Sequence, residues 1–179
     1  MIQLRDYDNS EFDRGAPRWM EALWVAIKVI FFLNPFPWPS GLRVALLRLF
    51  GAKIGERVVI RSGVHITFPW FLEIGDDVWL GEEACLLSLA PITIESNVCI
   101  SQRAFLCTGS HDFRKTTFNL VTRPITVRRG CWIAVQAFVA AGVEIGEGSL
   151  VSAGSVVLDT VAPHSLVRGN PAVVVKSLE

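Results

Sequence analysis

From Ile54 onward the chain carries an aliphatic side chain at every sixth residue, a period that suits neither the 3.6 of a helix nor the two of a long strand. The steps run Ile54, Ile60, Ile66, then Ile74, Leu80, Leu86, then Ile94, Ile100, Leu106. After an interruption they resume as Val127, Ile133, Val139, Ile145, Val151 and Val157. Every position is aliphatic, although Val, Ile and Leu make up fewer than a third of the residues. Four places after most of them stands a small or β-branched residue, as at Val64, Ala84, Ala104, Cys131, Ala137 and Ser155, with Trp70 the exception. Short strands joined by tight corners meet this pattern, one aliphatic pointing inward from each face and a small residue filling each corner.

The longer steps after Ile66, Leu86 and Leu106 divide the aliphatics into threes, and three faces make one coil. Coils then begin at Ile54, Ile74, Ile94, Val127 and Ile145, which predicts five turns of a triangular prism spaced ~4.8 Å apart. All three insertions leave from the same corner. The longest, residues 108–124, is a loop projecting at mid-height, and loops of that length on rigid scaffolds usually carry function. Past Val157 the ladder is expected to stop.

The ends read differently. Residues 17–33 open with Pro17 in a first helical turn and end before Asn34 and Pro35, favouring a helix too short in its apolar part to cross a bilayer. A second helix is expected over 40–50, with Arg43 and Arg48 on its polar side. The aromatics Trp19, Trp24, Phe31, Phe32, Phe36 and Trp38 allow two readings, packing against the prism and a neighbouring subunit, or shallow attachment to a membrane through residues 17–50. The expected organisation is an N-terminal helical segment (1–50), an all-β prism with its loop (51–161) and a C-terminal cap (162–179) that folds back after Pro163.

Charge is balanced, with 17 Lys and Arg against 17 Asp and Glu, so no net field draws the chain to nucleic acid. The four cysteines form no C-x-x-C pair and have no His at a zinc-ligand spacing; they read as small residues of a reducing compartment. An N-terminus bearing Arg5, Asp6, Asp8, Glu11 and Asp13 does not read as a cleavable signal, and the expected location is the cytoplasm. The three histidines, His65, His111 and His164, fall in the first coil, after the third and beyond the fifth, too far apart for a zinc hydratase site.

The loop contains C-T-G-S-H-D, Cys107 to Asp112. With L-F-G-A-K-I-G (Leu49 to Gly55), C-W-I-A (Cys131 to Ala134) and R-G-N-P-A-V-V (Arg168 to Val174), this resembles the hexapeptide-repeat acetyltransferases, most closely the O-acetyltransferases of colanic acid and related exopolysaccharide biosynthesis. The resemblance implies a left-handed parallel β-helix, a homotrimer with acetyl-CoA held between neighbouring prisms, no metal, and a sugar or lipid-linked oligosaccharide acceptor. It assigns His111 as general base, its second nitrogen steadied by Asp112 or by a backbone carbonyl. By position, Trp132 packs on the cofactor arm, Ala134, Ala153 and Gly154 offer backbone to the pantetheine, and Arg168 or Lys176 meets the phosphates. Asp159 and Val135 depart from the family pattern, where a lysine and a serine are common. Glu82, Glu83 and Ser88 are candidates for the acceptor's hydroxyls. The readings to separate are O-transfer to a sugar hydroxyl, N-transfer to an amino sugar, and a non-catalytic β-helix scaffold.

Overall fold

A computed structural model describes residues 2–178. The six-residue ladder becomes three parallel sheets closing a triangular column. The first face stacks Lys53–Ile54, Leu72–Ile74, Ile92–Ile94, Ile125–Val127 and Glu144–Ile145. The second stacks Val59–Ile60, Trp79–Leu80, Cys99–Ile100, Trp132–Ile133, Leu150–Val151, Ser165–Gly169 and Ala172–Ser177. The third stacks His65–Ile66, Cys85–Leu87, Phe105–Cys107, Phe138–Val139 and Val156–Val157. Pairs stay in register, Ile54 on Ile74 and Leu80 on Ile100, so the ladder aliphatics lie one above another inside. None of the fifteen is more than 9% exposed.

The ladder does not end at Val157. Val161 bridges Ile145 and Val167 pairs with Val151, both side chains buried, adding two sides of a sixth coil. The step from Val157 to Val161 is four residues, which hid the continuation from a count by sixes. Ala172–Ser177 then turns back antiparallel on Ser165–Gly169.

A second regularity sits three residues after each aliphatic. There the backbone enters the left-handed region, at Gly63, Gly130, Gly142, Gly148 and Gly154, but also at Arg57, Asp77, Glu83, Asn97, Arg103, Gln136 and His164. Side chains other than glycine seldom take this conformation, at a cost of about 1 kcal/mol or more each. The stack pays it because each corner must turn sharply within two or three residues. Four of the five third-face corners escape: those after Ile66, Leu86 and Leu106 relax over inserted residues, and that after Val157 is two residues shorter, while the corner after Val139 keeps the conformation at Gly142. Glycine has another use at Gly75 and Gly81, just past the ladder residue, where a Cβ would stand 2.7 Å from the backbone nitrogens of Ser96 and Gln102 in the coil above.

The N-terminal helices close the open end of the column. An exposed lower coil would leave a row of unpaired carbonyls and amides. Helix α1 (Arg18–Lys28) runs into a π-helical turn, Val29–Leu33, and α2 spans Ser40–Leu49. Trp24 is buried against Phe32 and Phe50, and its indole N–H donates to the Ile66 carbonyl at 3.1 Å. Ser40 Oγ accepts from the Ile60 amide, and Arg48 donates to the Ile54 and Gly55 carbonyls. Arg43 does not lie on a polar outer side as the sequence suggested. It is 3% exposed, its guanidinium donating to the carbonyls of Phe31, Trp38 and Ile60, because three acceptors meet where helix, turn and first coil converge. Lys28 is also turned inward, while Leu23, Val25, Val29, Ile30, Leu33 and Phe36 face out.

Candidate active site

The projecting segment is a β-hairpin rather than an irregular loop. Gly109–His111 pairs antiparallel with Leu120–Thr122, Ser110 opposite Val121 and His111 opposite Leu120. Because two paired strands hold His111, the position of its ring is fixed by the scaffold.

The imidazole is half-buried and lies flat on the Phe118 ring, the centroids 4.2 Å apart and the planes 3° from parallel. Its Nδ1 lies 2.9 Å from the Phe118 carbonyl oxygen. A carbonyl can only accept, so Nδ1 carries the proton and Nε2 is the unprotonated nitrogen of the neutral ring. Phe118 is itself in the left-handed region (φ 47°), which for a bulky aromatic residue is a genuine outlier and aims its carbonyl at His111. Of the two orienting groups the sequence allowed, the structure selects the carbonyl. Asp112 faces away from that role: its carboxylate takes the Arg114 amide at 3.1 Å and the Arg114 guanidinium at 3.0 Å, and this pairing holds it below the usual carboxylate range.

A cleft of about 480 Å³ lies against this hairpin, lined by His111, Asp112, Phe113, Arg123, Phe138, Ala140 and Leu158. It follows the upper third face and its corner to the first.

The residues assigned to the cofactor collect elsewhere on the column. Trp132 stands on the outside of the second face, 49% exposed, its indole N–H bonded to Ser101 Oγ at 2.8 Å. Above it in the same outer ladder come Leu150, Leu166 and Lys176. Arg168 alternates with the inward Val167 and so shares that surface. Ala153 and Gly154 are exposed at the corner between second and third faces, and a Cβ on Gly154 would meet nothing within 4 Å. Ala134 is buried at the same corner one coil below. Trp79, 61% exposed and two strands beneath Trp132, extends this aromatic stripe and went unnoticed in the sequence, where it looked like one more repeat residue.

The acceptor candidates fare less evenly. Ser88 is fully buried, its hydroxyl closed on the amide and carbonyl of Phe68 at 2.9 Å, so it belongs to the coil and is withdrawn as a sugar contact. Glu82 accepts from Arg61 and Glu83 from Arg103, both at 2.7 Å, in ion pairs that climb the corner between the second and third faces. His111 lies at the far edge of the third face from that corner, so one column does not bring the base together with these residues. The other histidines stay apart from it: His65 packs on the first coil of the third face and His164 forms a corner of the sixth coil.

No family model matches the chain. It is 44% identical over 167 residues to an Escherichia coli protein named as the colanic acid biosynthesis acetyltransferase WcaF, covering 91% of this chain and 90% of that one. Identity to the E. coli galactoside O-acetyltransferase is 26% over 140 residues, 76% of this chain and 68% of the relative. Among solved structures, a hexapeptide-repeat-containing acetyltransferase of Vibrio cholerae complexed with acetyl coenzyme A superposes with a TM-score of 0.83 at 28% identity, over 90% of this chain and 88% of that one.

Proposed function

Because the chain belongs to the hexapeptide-repeat acetyltransferases, we propose that it moves an acetyl group from acetyl-CoA to a sugar hydroxyl in the cytoplasm, serving exopolysaccharide or lipopolysaccharide assembly. The observation that carries the chemistry is the Nδ1–H bond from His111 to the Phe118 carbonyl, which leaves Nε2 free to accept a proton. In this reading Nε2 takes the proton of the acceptor hydroxyl as that oxygen bonds to the thioester carbonyl carbon. The resulting oxyanion collapses, the carbon–sulfur bond breaks, and the imidazolium returns its proton to the departing CoA sulfur. No acyl-enzyme forms. A backbone N–H is the kind of donor that would hold the oxyanion.

Trp132, Ala134, Ala153, Gly154, Arg168 and Lys176 form the proposed cofactor wall. Their place on the second face and its corner, away from His111, supports a site shared by two neighbouring columns of a homotrimer, one supplying the base and the other the cofactor surface. Glu82 and Glu83, already ion-paired, would contact an acceptor only through that same arrangement.

The exposed apolar residues Trp19, Leu23, Val25, Val29, Ile30 and Leu33 of α1 and its π-helical turn support a peripheral membrane contact, suited to a lipid-linked acceptor; no helix among the described residues is long and apolar enough to cross a membrane. Val29→Glu with Ile30→Glu should abolish flotation with liposomes, and equal flotation of the variant removes this part of the proposal.

The reading as a whole is tested by acceptor-dependent CoA release across nucleotide sugars and lipid-linked oligosaccharides. The acetylated product should lose its acetyl group to hydroxylamine, as an ester does. A product resistant to hydroxylamine would identify N-transfer to an amino sugar, and no release with any acceptor would favour the scaffold.

A further inference from the structure

The segment that begins at Gln3 does not trail from the helices but returns to the hairpin. The Gln3 amide donates to the Thr116 carbonyl at 2.9 Å, and a single 3₁₀ turn, Leu4–Asp6, follows. Further along, Phe12 stacks on Phe68 and the Arg14 carbonyl accepts the Trp70 indole N–H at 2.7 Å. The strap between these anchors passes over the candidate base. Tyr7, the chain's single tyrosine, lies with its ring centroid 5.9 Å from that of His111, tilted by 58°.

Phe118 already covers one face of the imidazole, and Tyr7 is the other aromatic ring beside it. Tyr7 is 40% exposed, and its hydroxyl has no hydrogen-bond partner among the described residues. An attacking hydroxyl must lie within about 3 Å of Nε2. A sugar ring bearing it has the span to reach a phenol whose centre is 5.9 Å from that of the imidazole. An open aromatic face with a polar tip suits a pyranose, offering a surface for its C–H groups and a bond to a neighbouring hydroxyl.

We infer that Tyr7 is an acceptor-binding residue, the platform on which the sugar ring lies while His111 takes the proton of its hydroxyl. The inference rests on the transfer reaction proposed above, and it assigns the N-terminal strap to the acceptor half of the site.

The test is steady-state kinetics of Tyr7→Ala and Tyr7→Phe, varying acceptor and acetyl-CoA separately with the best acceptor of the wild-type protein. Tyr7→Ala should raise the acceptor KM roughly three- to tenfold, the loss of one aromatic contact, and leave the acetyl-CoA KM unchanged. Tyr7→Phe keeps the platform and should recover most of that loss. If Tyr7→Ala instead lowers kcat and shifts the acid limb of the pH profile at unchanged acceptor KM, Tyr7 only steadies His111 and the inference fails. Equal kinetics of variant and wild type overturn it too. Absence of acceptor-dependent transfer by the wild-type protein would count against the parent reading, and is distinguishable from either result.

Discussion

Lys28 Nζ lies 3.3 Å from His65 Nε2, two basic groups face to face where α1 packs on the third face. No carboxylate joins them among the described residues; the other neighbour is Cys85, its sulfur 3.9 Å from His65 Nδ1. Burial and the adjacent Lys28 hold the His65 imidazole below its ordinary pKa, and burial lowers Lys28 as well. Above about pH 6.5 folded and unfolded His65 are both neutral, and the contact carries its full stability. As pH falls below that value the unfolded chain takes up a proton that the folded chain resists, so stability is lost. Thermal melting from pH 7.5 to 5.5 should show Lys28→Met gaining on the wild-type protein as pH falls, and parallel curves would contradict this.

Asp112 pairs with Arg114 rather than with the imidazole, so Asp112→Asn should keep kcat within a few-fold of wild type, the asparagine oxygen still accepting the Arg114 amide. Were Asp112 the group that fixes His111, the loss would instead approach the ~10²–10⁴ of a general base.

Within the column, Ile100 is fully buried in the middle coil. Ile100→Ala should destabilise by about 2–5 kcal/mol, read by denaturant unfolding, since neighbours stacked in register above and below cannot close the cavity.

Two glycines separate backbone conformation from close packing. Gly130 sits at φ 69° with its nearest neighbouring atom 3.8 Å from a built Cβ, so Gly130→Ala should cost only the left-handed strain, about 1–2 kcal/mol. At Gly75 the cost is steric, a Cβ 2.7 Å from the Ser96 amide nitrogen, and Gly75→Ala should be the more destabilising of the two. The opposite order of melting temperatures would mean that the coils separate more easily than their stacking suggests.

The column was legible because one inward side chain per face repeats along the chain, and the fifteen aliphatics from Ile54 to Val157 report it directly. Val161 and Val167 continue it but break the spacing, so a count by sixes missed them. Periodicity says nothing of where a polar side chain finds its acceptors, and so Arg43 was misplaced and Ser88 mistaken for a surface group. Neither could the sequence tell that Phe118 would take a left-handed conformation and turn its carbonyl to His111. The approach of Tyr7 to that ring joins residues over a hundred positions apart, with no local pattern to announce it.

The central claim is that His111 Nε2 accepts the acceptor's proton, and its most direct test is CoA release by His111→Ala beside the wild-type protein at saturating acetyl-CoA and acceptor. The account predicts a fall in kcat of ~10²–10⁴ with circular dichroism and melting temperature preserved. A His111→Ala protein that turns over at the wild-type rate would contradict it.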